Sequence, residues 1–468
     1  MNANKKLSAF VLFAVAVFAQ AAFADGDKFL SCIIHLHSTY SFNETNTIAA
    51  IARDAHANDI DAVIMTDHDL MRWEYGIKPL RDLVKITRSK NSVLRSGPGR
   101  YLDEIARAAA AYPGMVFIPG VESSPFYYWS GSPWNHSLEL RDWHKHLLVI
   151  GLDKPADYDG LPLVSNPKAG VFSPLKLWPL LTGLAAILLL RRKLRLIVAA
   201  ASLLALINNY PFRILPFSPY QGPMGEKPYQ NLIDYATSKG ALVFWAHPEA
   251  PNWEKPEKMG PVSIRTARYA GSVLNTTGHL GFALFPEGYV EGGKPGGYWD
   301  AALNQYCAGK RSRPMWAIGE LDYGINSYPL GAIQNKLWTK EKSRKAVLEA
   351  LAGGEFFIVW QDSKWGLALD NFSVASGGEI ARCGGEIAYK SPVRLRLAFK
   401  CTDDKSRPSK THIVRDGRLI ATLDSATPAR LAFEDTAPLS PGLHYYRVIV
   451  DAGSSHYLAF NPVFVRKE

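Results

Sequence analysis

A chain of 468 residues is too long for one ordinary domain and suggests two or three, with enough apolar material for a large core. With 47% apolar and 21% charged residues it is neither disordered nor collagen-like. The formal net charge of +10 is partly local, and no basic stripe interleaved with aromatic residues accompanies it, so no specific nucleic-acid partner is expected.

At the N-terminus, Lys5 and Lys6 precede a short apolar stretch and the small-x-small site Ala22-Phe23-Ala24. Residues 1–24 therefore read as a signal peptide, and the mature chain as exported to the periplasm or beyond. A retained anchor is the alternative, although the stretch is short for a bilayer span. The four cysteines then permit disulfides, with Cys383 paired to Cys401 and Cys32 to Cys307.

From residue 28 to 362 short apolar runs alternate with amphipathic stretches. Strand-like runs include "FLSCIIHLHS", "DAVIMTDHD", "GMVFIPGVES", "HLLVIGL", "ALVFWAHPE" and "MWAIGELD"; helical patterns include "TIAAIARDAHAND", "YLDEIARAAAAY" and "YQNLIDYATSKG". Such alternation predicts parallel strands with helical crossovers, an α/β fold. Each apolar run ends in His, Asp or Glu, as at the carboxyl-end face of an α/β barrel. The glycine-rich "PEGYVEGGKPGGYW" lacks the lysine-serine ending of a phosphate-binding P-loop and reads as a flap or a surface loop.

An insert at 172–215 interrupts this pattern: two apolar arms, Leu177 to Leu190 and Leu196 to Ile207, flank "RRKLR". Each arm is shorter than the roughly 18 residues of a comfortable span, so 177–207 reads as a helical hairpin that touches or enters a membrane, or packs on the protein. Beyond it, residues 366–468 change to short alternating runs separated by Gly, Pro, Asp and Ser, a β-sandwich pattern with a structural or docking role.

His35 and His37 stand one residue apart, so on a strand both would face the same side. Alone this spacing fits a hydrogen-bonded pair as well as a metal site. Together with Asp67 and His68 of "TDHD", Glu122, His146, His247 and Asp322, it supplies nitrogen and carboxylate ligands from six strand tips. That set suits zinc, manganese or iron, and the lack of cysteine disfavours a closed structural zinc site. His144 reads as a rim residue, and His56, His136 and His279 as surface or loop histidines.

The His-x-His-Ser, "TDHD", "PGVES", "HLLVIG", "AHP" and "GELD" stretches occur in the order and rough spacing of the PHP (polymerase and histidinol phosphatase) superfamily, which residues 29 to 360 resemble apart from the insert. The C-terminal portion looks like the secreted PHP branch that includes carbamate-ester hydrolases. The resemblance implies a distorted (β/α)7 PHP-type barrel that hydrolyses phosphate esters; the β-sandwich after it is expected to be immunoglobulin-like, since "PGLHYYRVIV" resembles the tyrosine-corner entry to a strand in such domains. Position by position, it implies that His35, His37, Glu122 and Asp322 hold one divalent ion, with Glu122 bridging to a second on His146 and His247. Of three ligands for a third ion, only His68 is present; Phe42 and Asn43 stand near the first position and Gly324 at the last. Two metals are thus expected, generating a bridging hydroxide for attack on a small-molecule ester, phosphoric or else carboxylic or carbamic. His68 is then left for proton transfer, with Asp67 or Asp69 next, or with Asp67 orienting ligand histidines. A degenerate module that binds metal without turnover is the reading from outside the enzyme class.

Overall fold

The computed structural model describes residues 29–41, 45–210, 214–251, 254–339 and 341–468. The leader at 1–24 and the Phe42 and Asn43 positions lie outside them.

Two five-stranded stacks form the centre of a mixed α/β unit. One runs Phe356–Trp360, Ile333–Leu337, Leu30–Ile34, Ala62–Ile64, Val116–Ile118, and the other Trp316–Gly319, Gly281–Phe285, Leu242–Trp245, Leu147–Ile150, Gly120–Ser123. Nearly every side chain in these strands is buried, which is why their sequences read as apolar runs rather than as alternation. Helices at Ile48–Ala57, Pro98–Ala111 and Lys227–Ser238 occupy the amphipathic stretches. The Thr47 hydroxyl caps the first by accepting the Ala50 N–H at 3.1 Å, and Pro98 opens the second, where its missing donor costs nothing. The third ends before Gly240, whose φ of 82° lets the chain turn back into Leu242–Trp245.

The strands do not close into a barrel. At one seam the chain itself crosses from Val116–Ile118 into Gly120–Ser123. A Cβ on Gly120 would stand 2.7 Å from the Val149 carbonyl and 2.9 Å from that of Met65, so only glycine permits this bend. At the other seam side-chain amides replace a strand ladder. Asn335 accepts the Gly319 N–H at 2.9 Å and donates to its carbonyl at 2.8 Å, and Asn461 treats Ala317 likewise at 2.8 and 3.1 Å. The expectation of uniformly parallel strands also fails at two places. Leu147–Ile150 runs antiparallel to both neighbours because short strands at Tyr128–Ser130 and Glu139–Arg141, not a crossover helix, precede it. Ile333–Leu337 is likewise antiparallel to Leu30–Ile34 and to Phe356–Trp360.

The first stack continues into the C-terminal segment. Tyr457–Lys467 pairs with Phe356–Trp360, and Gly442–Asp451, Pro408–Arg415 and Arg418–Ala426 extend the sheet outward. A four-stranded sheet packs over this extension through Phe372, Leu397 and Phe399 against Val448 and Phe460. The glycine-rich segment is not a free flap. Glu249 accepts the Glu291 and Gly292 N–H groups at 2.9 and 2.8 Å, and Arg447 from the C-terminal sheet donates to the Gly293 and Lys294 carbonyls.

The insert folds as two helices, Trp178–Leu189 and Arg192–Asn209. Arg195 folds back to donate from Nε and Nη2 to the Leu190 carbonyl at 3.2 and 3.0 Å, so the basic residues begin the second helix as well as forming the turn. No helix among the described residues is long and apolar enough to cross a membrane. All four cysteines are separate thiols, against the expected pairing; Cys401 Sγ lies 3.1 Å from Thr427 Oγ1 instead.

Candidate metal centre

Six strand tips converge on Glu122. His35, His247 and Asp322 each follow their strand with a positive φ, at 72°, 24° and 46°. Left-handed backbone is uncommon for such residues and turns each side chain in toward the centre. The His-x-His pair therefore reaches the site by a break in the strand at His35, not by strand alternation. His146 arrives from the opposite direction, since its antiparallel strand presents its first end, not its last.

The two carboxylate oxygens of Glu122 face different partners. Oε2 lies 3.3 Å from Nε2 of both His35 and His37, and 3.0 Å from Nδ1 of His68. Oε1 lies 2.5 Å from Nδ1 of His146 and 2.8 Å from Nε2 of His247. Asp322 Oδ1 closes the first group, 3.1 Å from His37 Nε2 and 3.6 Å from His35 Nε2. Metal–ligand bonds of about 2.0–2.2 Å put neighbouring ligand atoms roughly 3–3.6 Å apart, so the first group has the spacing of a coordination shell. His35 Nε2 and Glu122 Oε2 are buried without a well-formed hydrogen bond among the described residues, as ligand atoms would be.

The outer nitrogens of four of these imidazoles are held. His35 Nδ1 meets Glu320 Oε2 at 2.7 Å, His37 Nδ1 meets the Ser41 hydroxyl at 3.0 Å, His146 Nε2 meets the Trp143 carbonyl at 3.1 Å and His247 Nδ1 meets the Tyr269 hydroxyl at 3.0 Å. Such contacts fix each ring so that its other nitrogen points inward, the support that metal-binding histidines require. The residues present fit a divalent-metal centre, and three triads of ligand atoms can be drawn within it: His35, His37, Asp322; His35, Glu122, His247; and His37, His68, Glu122.

Asp67 sits behind this shell. It accepts the Ser38 N–H at 2.6 Å and the Ser38 and Ser41 hydroxyls at 2.8 Å each, and Ser41 in turn touches His37 and accepts the His68 N–H. Glu320 escaped the sequence reading. It accepts the His247 N–H at 2.7 Å as well as holding His35. Its signal was present, since Glu320 precedes Asp322 by two residues in "GELD" and shares its side of the chain. His144 lines the cavity beside the centre, and burial followed by the charges of His146 and His247 lowers it to about 3. His279, expected at the surface, is instead buried against the Gly281 and Val273 carbonyls.

Electrostatics without metal set a test. Burial works against charge on His35 and His37, but the Glu122 and Asp322 carboxylates outweigh it, holding His35 well above its usual range and His37 at about 9. Burial works against Asp322 ionisation too, yet the His35 and His37 charges bring it to about 2. In the metal-free chain the His37 ion pair stabilises the fold fully below about pH 6.5, and that contribution is lost as pH rises through about 9. A metal requires neutral imidazoles, so its binding at pH 7 should release protons, and apparent affinity should rise with pH up to about 9. Calorimetry of zinc binding in buffers of different ionisation enthalpy checks this; buffer-independent heats would count against it. In the same assay Glu320→Gln, which weakens the hold on His35 and His247, should lower metal affinity about 10–100-fold.

A cavity of about 330 Å³ opens onto the centre, lined by His68, Glu122, His146 and Asp322 at its base and by Trp73, Arg88 and Lys90 among others on its walls. No family model and no curated protein matches the chain. Among solved structures, an amidohydrolase from Chromobacterium violaceum with bound sulfate and no metal aligns at 13% identity and a TM-score of 0.27, covering 64% of this chain and 89% of that one. Likeness at that level carries no argument about activity, which rests on the site itself.

Proposed function

We propose that the chain is an exported metal-dependent hydrolase of the PHP type, a phosphoesterase, whose two facing stacks are a split form of the distorted (β/α)7 barrel. The division of Glu122 carries this reading: one oxygen faces His35, His37 and His68, the other His146 and His247. Divalent ions held there, zinc, manganese or iron, would acidify water and neutralise charge gathering on a phosphoryl oxygen. Arg88 and Lys90 on the cavity wall favour an anionic ester over a neutral one. Asp67 is a positioning residue, since its carboxylate accepts from the Ser38 N–H and hydroxyl and from the Ser41 hydroxyl, and Ser41 in turn touches the His37 ring and accepts the His68 N–H. We assign His68 to the ligand set. Burial holds it neutral, well below its usual range, and its Nδ1 points at Glu122, as suits a ligand rather than a proton donor. The leader-like residues 1–24 support export.

The test is metal content and turnover of p-nitrophenyl phosphate, bis-p-nitrophenyl phosphate and p-nitrophenyl acetate by the full mature chain, with His35→Ala and His68→Asn beside it. Metal-dependent cleavage of the phosphoesters supports the reading, with both variants losing metal. Cleavage of the acetate alone selects the carboxylic or carbamic ester hydrolase. Bound metal without turnover of any ester selects a degenerate binding module, and retained metal in His68→Asn with lost activity returns His68 to proton transfer.

The hairpin supports contact with lipid. Its helices meet through Gly183, Ala186 and Ser202, with Thr182 and Ser202 hydroxyls 2.9 Å apart, while Leu181 and Leu189 outside are 71% and 81% exposed. Small and hydroxyl residues inside with leucines outside is the packing of helices in a bilayer, the reverse of a water-exposed pair. The helix Trp178–Leu189 covers only about 18 Å at 1.5 Å per residue, so the hairpin seats in the lipid surface instead of spanning it. Arg191, Arg192 and Lys193 at its tip match anionic headgroups. Flotation with vesicles containing anionic phospholipid, lost in Leu181→Asp/Leu189→Asp, would support this; a chain that stays behind and dimerises through the hairpin would overturn it.

A further inference from the structure

A second cleft of about 750 Å³ adjoins the cavity over the metal centre, and Trp73, Arg88 and Met259 line both. The shared wall is a two-stranded ribbon, Arg72–Gly76 against Lys85–Ser89. Its register pairs Trp73 with Arg88 and Tyr75 with Ile86, which places these four side chains on one face. The alternate positions Arg72, Glu74 and Lys85 belong to the other face, where Glu74 is paired with both basic residues. The ribbon thus separates a charged, salt-bridged face from a largely apolar one that leads outward from the metal cavity. Ile77 and Trp134 continue that apolar surface at the outer end of the cleft, 43% and 85% exposed.

Exposed indole and aliphatic groups in a continuous trough cost hydration free energy unless something covers them. Among the paired ribbon residues of this face Arg88 is the one cation, at the junction of the two cavities, with Lys90 in the inner cavity and Lys78 and Arg81 along the outer cleft; among the described residues no carboxylate lies within ion-pair distance of Arg88. An anionic group beside the metal centre would meet Arg88, and an apolar group attached to it would run along Trp73, Tyr75 and Ile86. The lipid-facing hairpin is joined to the tip of the same ribbon, where the Asp82 N–H donates to Asn208 Oδ1 at 3.0 Å.

We propose that the substrate is an amphiphile: an anionic phosphate ester whose head lies at the Glu122 centre and whose hydrocarbon tail occupies the ribbon cleft. This rests on the phosphoesterase reading above and adds the substrate class to it. The experiment measures kcat/KM of the metal-loaded mature chain on a series of methyl, hexyl and decyl p-nitrophenyl phosphodiesters, each below its micelle concentration. The expected result is a rise of about 30-fold or more from methyl to decyl, a fraction of what burial of the longer tail offers. Trp134→Ala, at an exposed position, and Ile86→Asp should each shrink the decyl-to-methyl ratio toward unity. Arg88→Ala should raise KM across the phosphodiester series without altering the ratio. Turnover of all three esters at equal efficiency would overturn the tail cleft and leave the phosphoesterase standing. Absence of turnover with any phosphoester, with metal bound, would overturn both.

Discussion

On the proposed reading, Glu122→Ala should empty both halves of the centre at once, leaving a protein that binds no divalent ion at micromolar concentration and has lost at least about 10³-fold in activity. The expectation follows from the way one carboxylate is shared. Its Oε2 stands among His35, His37 and His68, and its Oε1 between His146 and His247, so no other ligand touches both groups as closely. His146→Ala, by contrast, removes a partner of Oε1 alone and should leave the His35, His37, Asp322 group able to bind one ion. Glu122→Ala has an electrostatic consequence too. Burial disfavours its charge, yet the His146 and His35 imidazoles hold it well below the ordinary carboxylate range. Removing it leaves the raised His35 and His37 imidazoles with one fewer counter-charge, so their affinity for protons should fall. Metal analysis by mass spectrometry and the p-nitrophenyl phosphate assay measure the first effect, and ¹⁵N NMR titration of the imidazoles measures the second. Two ions retained in Glu122→Ala would remove the basis for a shared carboxylate.

The candidate site was largely legible because its chemistry is concentrated in side chains that end apolar runs. A buried strand has no use for His, Asp or Glu, so each such ending was informative, and His35, His37, Glu122, His146, His247 and Asp322 do gather within one cluster. What the sequence hid was geometry carried by the backbone. The positive φ at His35 has no signature in residue type, so the pair was expected to share a strand face. Glu320 was hidden behind the more familiar Asp322. Parallel strands were inferred from alternation alone, and alternation is blind to a reversed strand when the link between Ser123 and Leu147 carries short strands in place of a helix. The open seam of the barrel is bridged by Asn335 and Asn461, two amides far apart in the chain, whose pairing with Gly319 and Ala317 is a long-range property. The cysteine pairing failed for a similar reason: spacing along the chain does not fix distance in space.

Asp300→Ala should cost about 3–5 kcal/mol of stability, a large effect for a change outside the metal centre. Arg447 is 1% exposed and Asp300 fully buried, and the guanidinium meets the carboxylate through Nε and Nη2 at 2.6 Å each. Two such bonds in parallel, away from water, are the strong form of this pair. Tyr445 adds a third donor to Asp300 at 2.9 Å, and the Gly293 and Lys294 carbonyls take two further Arg447 donors. The network ties the strand Gly442–Asp451 to the helix Tyr298–Cys307 and to the glycine-rich segment. Truncating Asp300 strands a buried cation, which is why the penalty exceeds the worth of the pair itself. Asp300→Leu/Arg447→Met tests that distinction, since removing both charges together spares the desolvation cost and should recover most of the loss. Urea denaturation of the three proteins measures it. If the double variant were as unstable as Asp300→Ala, the cost would lie in packing rather than in the stranded charge.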